Sequence, residues 1–260
     1  GIEKKQLPHV LAVTNLILHD VDIPNIRHDN SLSRPIRDYS NKDKVDVIVT
    51  NPPFGGIEED GIQANFPTSF RTKETADLFM VLIMTMLKEN GRGAVVLPDG
   101  FLFGEGVKTR IKEKLLEECN LHTIIRLPNG VFAPYTSIRT NILFFKKGEP
   151  TKEIWYFEHP YPTGQKSYSK TKPIRIEEFD LEKKWWDNRQ ENDHAWQISI
   201  EEIKAKGYNL DIKNPHLEDE ELPEPKEALQ QYLEAIEQVK QTKQMLVDEL
   251  SSILKEGSKA

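Results

Sequence analysis

At 260 residues, with 35 Lys and Arg against 42 Asp and Glu, the chain has a formal charge of -7 and room for one sizeable α/β domain plus an appendage. No run of about 18 apolar residues occurs, which excludes a membrane-spanning helix, and Gly1-Ile2-Glu3-Lys4-Lys5 is not followed by the apolar core of a secretion signal. Cys119 is the single cysteine and the seven histidines show no metal-ligand spacing, so disulfides and a metal site are not expected and a reducing, cytoplasmic setting is.

In chain order, apolar residues recur at helical spacing over 7–19, an amphipathic helix. A short extended piece ends near Arg27-His28-Asp29-Asn30. The β-branched run 45–49 predicts a strand that stops at Asn51-Pro52-Pro53. A polar loop over 55–75 leads to a strongly apolar helix over 76–88, with Asn90-Gly91 as its left-handed cap. Residues 93–97 form a buried strand closed by Pro98-Asp99-Gly100. A helix over 108–119 and a strand over 121–127 follow, then a loop at Pro128-Asn129-Gly130 and a last strand over 140–146. Alternating strands and helices predict a sheet covered on both faces, and the last two strands, with no helix between them, an antiparallel hairpin at its edge. Beyond 150, Ile154-Trp155-Tyr156-Phe157 suits one more strand and Trp185-Trp186 a small core. An acidic, Pro-bearing linker over 218–225 precedes a long helix whose Leu229, Tyr232, Ile236, Val239, Leu246, Leu250 and Ile253 step by three and four, broken only by Lys243. This is a heptad seam, which one helix cannot bury alone: it needs the chain's own body or a partner helix.

The informative tetrapeptide is Asn51-Pro52-Pro53-Phe54, on the order of one in several hundred by chance in this length. It sits just past the C-terminal end of a strand, where α/β enzymes place their sites. A rigid turn ending a ladder explains the prolines equally simply, but identity and position together favour chemistry. An exocyclic amine is a poor nucleophile because its lone pair is delocalised into the ring. Two acceptors aimed at its hydrogens, the Asn51 side-chain oxygen and the Pro52 carbonyl, favour a pyramidal nitrogen, and two prolines preorganise them. Phe54 can stack on a base taken out of the duplex.

With these residues in view, the chain resembles amino-group methyltransferases that use S-adenosylmethionine, and in particular the modification subunit of type I restriction–modification systems. The resemblance rests on Asn15-Leu16-Ile17-Leu18-His19, Asp29-Asn30-Ser31-Leu32, Asp46-Val47-Ile48-Val49-Thr50-Asn51-Pro52-Pro53-Phe54-Gly55 and Ala76-Asp77-Leu78-Phe79. It continues through Gly93-Ala94-Val95-Val96-Leu97-Pro98-Asp99-Gly100, Ile125-Arg126-Leu127-Pro128, Thr140-Asn141-Ile142-Leu143-Phe144-Phe145 and, more weakly, Gly207-Tyr208-Asn209-Leu210. It implies a partial doubly wound, Rossmann-like sheet and methyl transfer to adenine N6 in double-stranded DNA. Asn51, Pro52, Pro53 and Phe54 are then the catalytic turn. Glu3 matches the acidic residue that holds the cofactor's ribose hydroxyls, although an exposed charge near a chain end would look the same. Asp29, with Asn30, matches the residue facing the cofactor's adenine. The Gly-rich turn that the resemblance places before Glu3 is not found in a strand–turn–helix setting. The expectation is therefore a chain truncated at its N-terminus that alone binds cofactor poorly and is inactive.

The resemblance also implies a separate specificity subunit, docked by the C-terminal helix, and a restriction subunit in the full complex. The charge of -7 agrees with leaving much of the grip on DNA to a partner, since phosphate binding needs a basic surface. The expected organisation is 1–148 for the catalytic portion, 149–215 for a small extension, and 216–260 for linker and helix. His19, His28 and His122 are expected to be structural or superficial. Lys108, Arg110, Lys112 and Lys114 read as a solvated helix face rather than a phosphate site. Phe101 and Phe103 suit either a base-pocket wall or the core, and Arg139 and Thr140 lie where DNA could be touched. Methylation of a protein glutamine or an RNA base, and a non-catalytic interaction module, are the competing readings.

Overall fold

In the computed structural model, which describes residues 1–217 and 225–257, the alternating apolar runs pair as a six-stranded mixed sheet. Its strands are β3 (Val45–Thr50), β4 (Leu87–Pro98), β5 (Cys119–Arg126), β6 (Thr140–Lys147), β7 (Glu153–Glu158) and β8 (Ala195–Ser199), in the order β3-β4-β6-β5-β7-β8. β3 runs parallel to β4, and β5 parallel to β7, while β6 is antiparallel to both β4 and β5 and β8 to β7. The β5–β6 hairpin forms as expected but does not lie at the edge. β6 takes its second ladder from β4 and β5 takes one from β7, so the strands after residue 150 carry the sheet outward.

Successive side chains of a strand face opposite ways, and both faces are covered. Leu121 and Ile124 of β5, Leu143 and Phe145 of β6, and Ile154 and Tyr156 of β7 join one core cluster with two helices, α2 (Thr75–Met86) and α4 (Val107–Glu118). On the opposite face Ile125 and Phe157 meet Trp185 of α5 (Asp180–Trp186) in a second, smaller cluster. α2 is apolar nearly all round, with Leu78 and Met80 through Met84 buried, each contributing roughly 1.5–3 kcal/mol by leaving water. It ends at Met86, two residues before the expected stop. The left-handed residue after it is Asn90, at φ 63°, rather than Gly91. Asn tolerates this conformation because its short side chain bonds locally.

Residues 149–215 contribute β7, β8 and α6 (Ile200–Ala205), whose Ile200 and Ile203 enter the main core. Ser199 caps α6 by accepting from the Glu202 N–H at 3.3 Å. His122 is half-buried beside Trp186 and Arg189, and burial, then the Arg189 charge, pushes its pKa down to about 4.

At the other end of the sequence, β1 (Ile2–Glu3), α1 (Gln6–Leu18) and β2 (Arg27–His28) make a small βαβ unit whose two strands pair in parallel. This pair is not hydrogen-bonded to the six-stranded sheet, so the expected partial doubly wound α/β fold is present as two separate sheets among the described residues. β3 is the outer strand there, with Val47 and Val49 exposed. α1 has the apolar content expected of it but none of its residues is buried.

The chain divides into two compact units, Gly1–His216 and Leu217–Ala260. The second is α7 (Pro225–Gly257), a single 33-residue helix along which Leu229, Tyr232, Ile236, Val239 and Leu246 of the seam are exposed. The expected linker lies largely outside the described residues, and so do the side chains of Leu250 and Ile253. No described helix is long and apolar enough to cross a membrane.

Candidate active site

β3 delivers Asn51-Pro52-Pro53-Phe54 at its C-terminal end. Pro52 is buried and fixes the turn, Asn51 and Pro53 are exposed, and Phe54 is half-buried. Phe54 forms a wall of a cleft of about 580 Å³ that opens between the ends of β3 and β4 and the starts of α2, α3 (Asp99–Phe103) and α4. Phe101 and Phe103 both line it. Phe101 is fully buried and Phe103 about half exposed. Phe132, from the loop between β5 and β6, packs edge-on against Phe54 with ring centroids 4.9 Å apart.

The polar lining of the cleft is mostly acidic. Asp77, near the start of α2, is 1% exposed and meets Lys108 Nζ at 3.0 Å. Burial raises the pKa of Asp77, and Lys108 works against that rise. Burial lowers that of Lys108 in turn, but its bonds to Glu74 and Asp77 outweigh burial and hold it above its ordinary value. The second oxygen of Asp77, Oδ1, is buried without a hydrogen-bond partner among the described residues. Asp99 accepts from Asn141 Nδ2 at 2.7 Å, and Arg126, 3.9 Å from Asp99, is paired at 2.6 Å with Asp211. Asn141 is itself fully buried.

The basic run on α4 is a solvated face only in part, since Arg110 is exposed while Lys108 and Lys114 are half-buried. Lys108 is committed to carboxylates, Arg110 Nε donates to the Ser69 carbonyl at 2.7 Å, and Lys114 pairs with Glu118. Lys112 is fully buried and donates to the Leu102 and Gly104 carbonyls at 2.6 and 2.9 Å. Four lysines and arginines in a row look alike in a sequence, and only the packing of α4 on α2 and α3 separates them. Thr140 turns inward and is buried, whereas Arg139 is exposed, its Nε donating to Asn129 Oδ1 at 2.9 Å.

The residues expected to hold a cofactor gather elsewhere. Glu3 and Asp29 stand at the C-terminal ends of two adjacent parallel strands, and the Asp29 N–H donates to the Glu3 carbonyl at 3.1 Å. Glu3 Oε1 accepts from the Lys5 N–H at 2.8 Å, Asp29 Oδ1 from the Asn30 N–H at 2.7 Å, and neither carboxylate forms an ion pair among the described residues. Carboxylates of this kind suit hydroxyl and amino donors, so the residues present fit a nucleoside portion of a cofactor. Asn30 Nδ2 lies 3.3 Å from Glu58, which also meets Lys4, tying this corner to the loop that follows Phe54. Glu3, Asp29 and Asn30 do not line the aromatic cleft.

Asp77, Asn141 and Phe132 had no place in the sequence-based site. A lone carboxylate in the otherwise apolar stretch Thr75–Met86 was the available signal for Asp77, since a buried charge demands a partner. Phe132 gave none, because its contact with Phe54 spans 78 positions of sequence.

Residues 1–224 match the family model described as N-6 DNA Methylase. The chain belongs to that family. It is 56% identical over 264 residues to the methylase subunit of the type I restriction enzyme EcoEI of Escherichia coli, covering 98% of this chain and 52% of that protein. Among solved structures, a chain of a type I R-M system is 38% identical with a TM-score of 0.79 and covers 97% of this chain and 54% of its own. The EcoKI M protein is 27% identical with a TM-score of 0.71, covering 95% and 59%. The chain thus spans about half the length of the EcoEI subunit it matches.

Proposed function

We propose that this family member works within the modification subunit of a type I restriction–modification complex, methylating adenine N6 in double-stranded DNA. The observation that carries this reading is the Asn51-Pro52-Pro53-Phe54 turn at the end of a parallel strand, with Phe54 walling a cleft of aromatic rings and carboxylates. The Asn51 side chain and the Pro52 carbonyl accept from the two hydrogens of the amine. The prolines hold these acceptors in place before the substrate arrives, so little reorganisation is needed as charge develops on nitrogen. Phe54 and Phe132 offer aromatic surface to an extruded base. Glu74, Asp77, Asp99 and Glu105 outnumber Lys108 along the cleft, which repels a phosphate and suits a neutral ring bearing an amino group. S-adenosylmethionine, when bound, supplies an electrophilic methyl sulfonium; Glu3, Asp29 and Asn30 hold its nucleoside part through hydroxyl and amino hydrogens.

The net charge of -7 and the pairing of the α4 cations with acceptors of this chain leave the grip on the DNA backbone largely to a partner. The exposed seam of α7 suits a helix of the specificity subunit, with a restriction subunit completing the assembly. The test is to assemble the full-length subunit with its specificity partner and follow labelled methyl from S-adenosylmethionine. Label is expected in N6-methyladenine, and Asn51→Ala is expected to slow transfer by on the order of 10²–10³-fold, the usual effect of removing one preorganised polar group. Label in protein glutamine or RNA, or an unchanged rate in Asn51→Ala, overturns the reading.

A further inference from the structure

The loop joining β5 to β6 brings Phe132 to Phe54, yet little within the loop fixes it. Its internal backbone bonds are turn contacts, from the Ala133 N–H to the Gly130 carbonyl at 2.9 Å and from the Tyr135 and Thr136 N–H groups to the Phe132 carbonyl at 2.9 and 3.2 Å. The exposed Arg139–Asn129 side-chain bond joins only the two ends of the loop. Several of its residues, Tyr135 and Ile138 among them, are exposed. Its base, however, is gripped by the segment that follows β7. Tyr161 Oη donates to the Asn129 carbonyl at 3.1 Å. Gly130, at φ 82°, lies against the Tyr168 backbone so closely that a Cβ there would sit 2.8 Å from the Tyr168 carbonyl oxygen.

That segment is in turn tied to buried structure. The rings of Tyr161 and Tyr168 are 5.5 Å apart, Tyr168 is 4% exposed, and its hydroxyl donates to Glu178. His159 begins the segment: its N–H donates to the Arg126 carbonyl at 3.0 Å, its ring lies 4.7 Å from Phe179, and its Nδ1 bonds the buried Glu182 of α5. Phe54, the β5–β6 loop, the 159–168 segment and α5 are therefore linked by successive contacts. The last two parts come from the region that adds strands to the sheet, not from the one bearing the Asn-Pro-Pro-Phe turn.

We propose that Tyr161 and Tyr168 are positioning residues that brace the β5–β6 loop, keeping Phe132 against Phe54 and so setting how readily the site retains an extruded base. This rests on the methyl-transfer reading above. Tyr161→Phe removes one hydroxyl and keeps the ring; Gly130→Ala disturbs the same brace from the loop side at a residue whose positive φ and close neighbour both resist a side chain.

Two measurements test it. In this chain, amide hydrogen exchange over residues 131–136 is expected to quicken in both variants, by about tenfold for one lost hydrogen bond, with β4 and β6 unchanged. In the assembled full-length enzyme, 2-aminopurine at the target adenine reports extrusion by its fluorescence. Both variants should lower that signal and raise KM for DNA several-fold while leaving the Kd for S-adenosylmethionine unchanged. Unaltered exchange shows that there is no brace. Altered exchange with wild-type fluorescence and KM makes the contacts merely structural and overturns the proposal alone. No fluorescence rise in the wild-type enzyme removes the base-extrusion reading and this proposal with it.

Discussion

Lys112 offers a quantitative test of how the cleft wall is built. Its ammonium is fully buried and bonds the Leu102 and Gly104 carbonyls, which close the C-terminal end of the short helix carrying Phe101 and Phe103. Burial pushes its pKa down to about 8, with the Asp77 charge opposing part of the shift. The gap from the ordinary value of 10.5 corresponds to roughly 3 kcal/mol at about 1.4 kcal/mol per pH unit. Below pH 8 both the folded and unfolded chains hold the proton, and the full cost of burying the charge is present. Between pH 8 and 10.5 the folded chain has released it while the unfolded chain keeps it, so stability from this group rises with pH and levels off above 10.5. Lys112→Met keeps most of the volume and removes the titration. It also loses two hydrogen bonds, a cost of about 1–3 kcal/mol for carbonyls left unpaired, but one that does not vary with pH. All four tryptophans lie between Trp155 and Trp196, and Trp196 is buried in the same core as Leu102 and Ile111, so urea unfolding can be followed by fluorescence. The unfolding free energy of the native chain, relative to Lys112→Met, should climb by up to about 3 kcal/mol from pH 8 to 10.5. A difference that stays flat across that window refutes the argument.

Lys108→Met leaves Asp77 buried beside Glu74 without its cation. It should cost on the order of 3–5 kcal/mol at pH 7. Because burial already raises the Asp77 pKa, that loss should shrink as the pH falls and Asp77 takes up a proton, and should disappear below the ordinary carboxylate range; a loss of equal size at pH 7 and pH 4 argues against an uncompensated Asp77. The Cys119 thiol, fully buried and pushed up to about 12 by burial, should resist a disulfide reagent at pH 8 and react only as the chain unfolds; fast stoichiometric labelling of the native chain contradicts its placement between α4 and β5.

The elements were largely legible because each is set by local pattern. The β-branched run before Asn51, the apolar stretch after Thr75 and the heptad of α7 carry their periodicity within a few neighbouring residues, and their observed bounds differ by at most two positions, whereas the strand expected over 93–97 already begins at Leu87. The position of the Asn51-Pro52-Pro53-Phe54 turn was legible for the same reason: a strand followed by Asn-Pro-Pro-Phe is a local statement about backbone and acceptors. Pairing order was not local. Nothing in 121–146 says that β6 takes β4 as its other neighbour or that β5 accepts β7, since ladders form between whichever edges the packed faces bring together.

Charge states and contacts inside the cleft depended on the same long-range packing. Lys108 and Lys112 occupy neighbouring turns of one helix, yet one neutralises Asp77 across 31 positions and the other sits in the core holding carbonyls. Asp99 finds Asn141 across 42 positions, and Phe54 finds Phe132 across 78. The sequence by itself determined which elements form and where the Asn-Pro-Pro-Phe turn lies along the chain. Only the tertiary structure decided which side chains lose water together, and with that loss their pKa values, their partners and the shape of the cleft they enclose.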